Sequence, residues 1–191
     1  MRLFYLLVLF LAFSCENSAV ESSSISKNTQ PVSDQAETAF QQLCTSLPIV
    51  ELPFSMYCED CCAHPDTSIQ RKIQHYLPEG SSFMGIIEQN DDFISVLTTY
   101  PADWIIPAVV VYNSEGEKID EEIFLGGYCG SDFGFMSRQY FYINTSRELL
   151  EIDSIFTLEI DPETFETIDT TKTEIKIKKF QINASGIQKQ E

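Results

Sequence analysis

From Phe83 onward the chain alternates short segments of β-branched and aromatic residues with turn residues. FMGIIE and FISVLTTY flank Gln89-Asn-Asp-Asp92, and AVVVY and KIDEEIFL flank Asn113-Ser-Glu-Gly116. The later segments QYFYIN, RELLEID, IFTLEI and EIKIKKFQI have the same character. Short strands joined by tight turns, without long crossover helices, favour antiparallel neighbours. The sequence therefore predicts a mainly β fold, an antiparallel meander forming a curved sheet or a small barrel.

The segment EIKIKKFQI changes phase in its middle. Ile175 and Ile177 are in step with each other, whereas Phe180 and Ile182 are one residue out of step with them. A β-bulge adds one residue to a strand and shifts the alternation in this way. The pattern predicts a bulge at Lys178-Lys179.

One or two short helices are predicted before the strands. The first begins at Asp34, which can cap it with Glu37 as the capping-box partner. Its apolar stripe consists of Ala36, Phe40, Leu43 and Leu47. A second helical segment is predicted from Thr67 to Tyr76.

The N-terminus has the pattern of a lipoprotein signal peptide over residues 1–14. Arg2 precedes a continuous apolar run, Leu3 to Phe13, which is too short to span a bilayer. The run ends at Ser14-Cys15, which resembles a bacterial lipobox and predicts lipidation of Cys15. The alternative is an ordinary secretory peptide cleaved nearby, with Cys15 lost or free. Residues 15–33 are rich in Ser and Asn and predict a flexible tether, followed by a single β-rich domain over 34–191.

Charge and composition restrict the function further. The chain has 29 Asp and Glu against 12 Lys and Arg, a net charge of −17. Such a chain repels phosphate backbones, so nucleic-acid binding is not expected. Hydrophobic residues make up 43%, which is enough for a core. The common hydrolase and nucleotide-binding motifs are absent from the sequence, and no cofactor is predicted.

The stretches IIPAVVVYNSEGEKIDEEIFLGGYCGSD, INTSRELLEIDS and TEIKIKKFQINASGIQ resemble small, uncharacterised lipoproteins of Bacteroidota. In that family a strand, an NGEKID turn, a second strand and a GG pair lead into further hairpins. The resemblance covers roughly residues 95–190. It implies a lipoprotein with a β fold and implies no particular activity, and the cysteine-rich segment 58–62 is not part of the family pattern.

Five cysteines follow Cys15, namely Cys44, Cys58, Cys61, Cys62 and Cys129. An exported protein meets an oxidising compartment, in which disulfides are the default. The sequence predicts two intramolecular bridges, with Cys44 and Cys129 among the partners of the 58–62 cluster. At least one cysteine is then left free or pairs between chains.

A redox site is an alternative use of the same cysteines. Cys58-Glu-Asp-Cys61 follows a tyrosine, as in a thioredoxin active site, and Pro107 could be the cis-proline that faces the dithiol. Cys58 would attack a substrate disulfide and Cys61 would resolve it. The adjacent Cys62 and the hairpin predicted over 83–99 oppose this interpretation.

A metal site is the second alternative. Cys58, Cys61 and His64 lie in a C-x-x-C-C-x-H segment, which offers soft ligands for Zn²⁺. A structural zinc site usually has four ligands, and the sequence shows only one clear pair, so a bound metal is not expected.

Together these patterns predict a protein lipid-anchored in the cell envelope, at the outer membrane on its periplasmic or surface face. The protein is expected to attach to the membrane through the lipid on Cys15, and it is not expected to bind nucleic acid. The expected role is binding or structural rather than catalytic, and a thioredoxin-like thiol oxidoreductase is the alternative. The sequence identifies no protein or small-molecule partner.

Overall fold

The computed structural model describes residues 37–59 and 66–191. The predicted signal peptide, Cys15, the tether 15–33 and Asp34 lie outside the described residues. The helices are α1 (Ala39–Thr45) and α2 (Thr67–Ile73). The strands are β1 (Phe54–Tyr57), β2 (Ser82–Gln89), β3 (Ile94–Pro101), β4 (Ile105–Tyr112), β5 (Lys118–Ile123), β6 (Gly130–Asp132), β7 (Phe135–Ile143), β8 (Glu148–Ile160), β9 (Thr167–Asn183) and β10 (Gly186–Gln190).

The described strands divide between two antiparallel sheets. One has the order β2-β3-β4-β5, and the other has the order β1-β7-β8-β9-β10 with β6 also paired to β7. The prediction of a mainly β fold with short helices is confirmed. Two sheets take the place of the single curved sheet or small barrel, because the chain leaves the four-stranded sheet after β5 and enters the second sheet.

The fold has three layers, in the order helices, four-stranded sheet and six-stranded sheet. The core between the two sheets contains Val50, Ile87, Phe93, Leu97, Val109, Val111, Phe124, Leu125, Phe141, Ile143, Leu149, Phe180 and Ile182. A second core, between the helices and the four-stranded sheet, includes Phe40, Ile73, Ile94, Val110 and Tyr112. Strand β4 therefore has a core on each side, which is why its sequence, AVVVY, is apolar without alternation.

Both helices are capped by side chains that the sequence places close by. Helix α1 begins at Ala39 rather than after Asp34, because Thr38 and Gln41 form the capping box. Asp66 caps α2 by accepting from the backbone N–H groups of Ser68 and Ile69, and the helix starts at the predicted Thr67. Within the described ranges neither helix is long and apolar enough to cross a membrane.

The predicted bulge at Lys178-Lys179 is wrong. The pairing of β8 with β9 runs without interruption from Ile152↔Ile177 through Leu149↔Phe180. Side chains alternate between the two sides of a strand, so Phe180 points into the core between the sheets and Ile177 points away from it. Along β9, the apolar side chains thus lie first on the opposite surface, at Ile175 and Ile177, and then in the core, at Phe180 and Ile182.

We call that opposite surface the outer face. It is the side of β1, β7, β8 and β9 that carries Tyr140, Ile152 and Ile177, which are in register across the sheet. Both described helices pack against the four-stranded sheet instead. The outer face is thus left without a cover from the described residues.

Phe124, directly after β5, packs against aromatic residues of the six-stranded sheet. It is fully buried, stacks on Phe141 with ring centroids 4.5 Å apart and meets Phe180 edge-on at 5.2 Å. Phe124→Ala should lower the free energy of unfolding by about 3–5 kcal/mol in urea denaturation, since it leaves a cavity between the sheets. The neighbouring Ile123 is 52% exposed, and Ile123→Ala should cost about 1 kcal/mol or less. Equal losses in the two variants would contradict this account of the core.

Candidate functional site

The cysteine that the sequence singles out at position 58 lies at a break in an edge strand. β1 pairs with β7 from Ile143 back to Tyr140, and β6 pairs with β7 from Ser137 to Phe135. Both short strands are antiparallel to β7, so they lie end to end along the same edge and run in the same direction. The Cys58–Cys129 disulfide joins them across the gap, with a Cα–Cα distance of 6.0 Å.

The backbone of Cys58 continues the edge beyond the end of β1. Its N–H donates to the carbonyl oxygen of Gln139 at 3.1 Å, and the N–H of Gln139 donates to the Cys58 sulfur at 3.3 Å. Cys58 is 2% exposed. Because thiol–disulfide exchange needs access to a sulfur atom, the burial of Cys58 protects its sulfur from attack, whereas Cys129 is only partly buried.

The crossing from one sheet to the other runs through the segment 124–130. The Leu125 N–H donates to the Glu151 carboxylate at 3.0 Å, and the Gly127 N–H donates to the Gln139 side-chain oxygen at 3.0 Å. Leu125 is fully buried with a φ of 57°, a conformation that a non-glycine residue adopts only when its surroundings impose it. A Cβ on Gly127 would clash with the amide of Gln139. Two polar side chains of the six-stranded sheet therefore fix the path of the crossing.

Carboxylates gather where β5 meets the hairpin of β9 and β10. Asp120 accepts from the Ile187 N–H at 2.8 Å, and Glu151 accepts from Lys178 at 2.6 Å. Asp120 and Glu122 lie opposite Val111 and Val109 in the register, so they border the core between the sheets. Burial raises the pKa of Glu122 above its ordinary value of 4.5, and the negative charges of Glu151 and Asp120 raise it further against the opposing effect of Lys178 and Lys189.

Cys44 does not take part in a bridge. It is a free thiol, 2% exposed, on the side of α1 that packs into the second core. The predicted bridge to Cys44 is therefore wrong, because the helix directs this side chain into an apolar core away from Cys58. Burial raises the pKa of the thiol from 9.0 to about 12, so at neutral pH it is protonated and a poor nucleophile.

The residues of the two alternative sites are only partly within the described ranges. Cys61, Cys62 and His64 lie outside them. Cys58 is bonded to Cys129 and is thereby removed from a dithiol or a zinc site with Cys61. Among the described residues, no group of three or more His, Cys, Asp or Glu side chains is placed to hold a metal ion.

Pro107 does not have the role that the redox alternative gives it. It lies in β4, where it pairs with Thr99 across a simple hairpin. The one cis peptide bond within the described residues is Leu52–Pro53. Strand β4 thus belongs to a consecutive meander, and the cysteines within the described ranges do not form a dithiol opposite it.

Sequence reasoning missed the polar side chains that organise this region, Gln139, Glu151 and Asp120. Gln139 and Glu151 interrupt apolar segments at buried positions, at 5% and 8% exposure. Gln139 alternates in phase with Phe141 and Ile143, and Glu151 alternates in phase with Leu149, so this phase was the available signal. No protein-family model, curated protein or solved structure matches this chain.

The bridge should contribute to stability through the loop that it closes. The two cysteines are 71 residues apart, and in the chain-entropy model a loop of this length is worth about 4 kcal/mol. The double variant Cys58→Ser/Cys129→Ser should lose about that much free energy of unfolding in urea, and Cys44→Ala, which leaves a small cavity in the second core, should lose less. Peptide mapping without reduction should recover Cys58 linked to Cys129. A Cys58–Cys61 linkage, reducible with the fold intact and active in disulfide exchange, would favour the oxidoreductase instead.

The ionisation of Glu122 should lower the stability of the fold at neutral pH. A carboxyl whose folded pKa is raised binds its proton more tightly in the folded state, so its contribution is present below pH 4.5 and is lost as the pH rises through the folded pKa. Glu122→Gln should therefore raise the melting temperature at pH 7, and the gain should shrink as the pH falls towards 4. Glu115→Gln, at an exposed turn residue, removes the same charge as a control. Equal effects of both substitutions at every pH would refute the assignment.

Proposed function

We propose that this protein is a lipid-anchored protein of the cell envelope whose folded part has a binding or structural role. The observation that carries the proposal is the Cys58–Cys129 bridge, in which Cys58 is buried and Cys129 is partly buried. A structural disulfide fits a chain that folds in an oxidising compartment. The apolar run that ends at Ser14-Cys15 supplies the signal for export to it and for attachment at the outer membrane.

Two further features support a structural or binding role. The site built around Cys58 is stabilised by Gln139 and the bridge, and it connects β1 with β6 along the edge of the six-stranded sheet. The outer face, by contrast, exposes Ile175 and Ile177 at 61% and 55%. Exposed apolar side chains that gather on one face are typical of an interaction surface.

Fatty-acid labelling tests the anchor directly. Wild-type protein should incorporate a labelled fatty acid and fractionate with the membrane. Cys15→Ala should abolish both, because the acylated thiol is gone. Cys44→Ala removes a different cysteine and should leave labelling unchanged. An unlabelled wild-type protein would refute the proposal.

A further inference from the structure

The outer face differs from the rest of the molecule in its charge. The chain carries 29 Asp and Glu, yet between Tyr142 and Met136 on β7 and their partners on β8 and β9 no carboxylate points to this face. Its charged residues there are Arg138 and Lys179, and neither forms an ion pair with a described residue. This stretch of the outer face is thus an apolar surface with two cations that have no ion-pair partner among the described residues.

A second exposed apolar feature lies at the far end of the same sheet. Phe133 is in the turn between β6 and β7, and Phe165 is in the turn between β8 and β9. Their ring centroids are 6.2 Å apart, and the side chains are 68% and 70% exposed. We call this pair the aromatic tip.

Stability does not explain the aromatic tip. Phe165 has a φ of 60°, in the left-handed region that is unfavourable for a bulky side chain and better suited to Gly or Asn. Its exposure means that little burial offsets this unfavourable conformation. Strained, exposed aromatic residues of this kind point to a role in recognition.

The charges around the tip complement those of the outer face. Asp132 precedes Phe133, and Asp161, Glu163 and Glu166 lie within four residues of Phe165. Two molecules with a net charge of −17 repel each other over most of their surfaces. An acidic, aromatic tip and an apolar, cationic face are the two surfaces that match in both charge and polarity.

We propose that the aromatic tip of one molecule docks onto the outer face of a second copy. Tip and face are different patches, so the contact is heterologous and each molecule has one of each. Such a contact repeats from molecule to molecule. The patches are small, so the association is weak and its extent depends on concentration.

Sedimentation of the full chain measures this association, with residues 1–36 identical in every variant. The wild-type average mass should rise with concentration. A tip variant, Phe133→Ser/Phe165→Asn, should stay at the monomer mass, as should a face variant, Arg138→Glu/Lys179→Glu. The matched control Arg71→Glu/Lys72→Glu makes the same charge changes on α2 and should associate like wild type, because α2 lies on the far side of the four-stranded sheet.

Mixing the two variants decides the geometry. The tip variant keeps an intact face, and the face variant keeps an intact tip, so the mixture should form one-to-one dimers that grow no further. Each variant should also melt no lower than the control, since all four substituted residues are exposed and Asn tolerates the conformation of residue 165. A monomeric wild type, a tip variant that still associates, or a mixture that stays monomeric would each overturn the proposal.

Discussion

One covalent bond closes the segment of the chain that contains the whole four-stranded sheet. β1 has four residues and β6 has three, too few for either to form a stable edge without support. The Cys58–Cys129 bond links them into one edge strand that is interrupted by the chain between the two cysteines. This intervening segment contains α2 and the whole four-stranded sheet. The six-stranded sheet therefore holds both ends of the segment that forms the four-stranded sheet. The side chains of Gln139 and Glu151 bind the backbone of the crossing at 124–130.

The acidity of the chain is distributed unevenly, and the layers explain the distribution. Carboxylates crowd the seam between β5 and β10, where Asp120 binds the backbone of the closing hairpin. On the helix side of the same sheet, Glu121 accepts a short hydrogen bond, 2.5 Å, from Tyr100. The Lys residues of β9 balance part of this charge, and Lys178 pairs with Glu151 at the border of the core. Side chains of both signs thus meet along the seam, whereas the charged residues of the outer face between Met136 and Tyr142 and their partners are the cations Arg138 and Lys179.

The hairpins could be predicted from the sequence because their information is local. Asn113-Ser-Glu-Gly116 forms a turn in which the Asn113 side chain accepts from two backbone N–H groups, as its residue types indicate. The division into two sheets could not be predicted, because it depends on which strands meet over long distances. The phase change in β9 was visible, but a sequence does not say what lies on each side of a strand. The partner of Cys58 was likewise beyond local reasoning, since it follows from two separate registers on β7.

The split edge strand also has a consequence for how the chain matures. Cys58 leaves the ribosome, and any export channel, long before Cys129, and in the company of Cys61 and Cys62. Cys61 and Cys62 are therefore available to pair with Cys58 before its native partner. Cys129 becomes available only after the segment that follows the four-stranded sheet has been synthesised. Correct maturation therefore calls for slow oxidation or for exchange that undoes early pairings. Once β7 has formed and Gln139 has bound the backbone of Cys58, the buried sulfur is withdrawn from exchange, and folding itself locks in the native pairing.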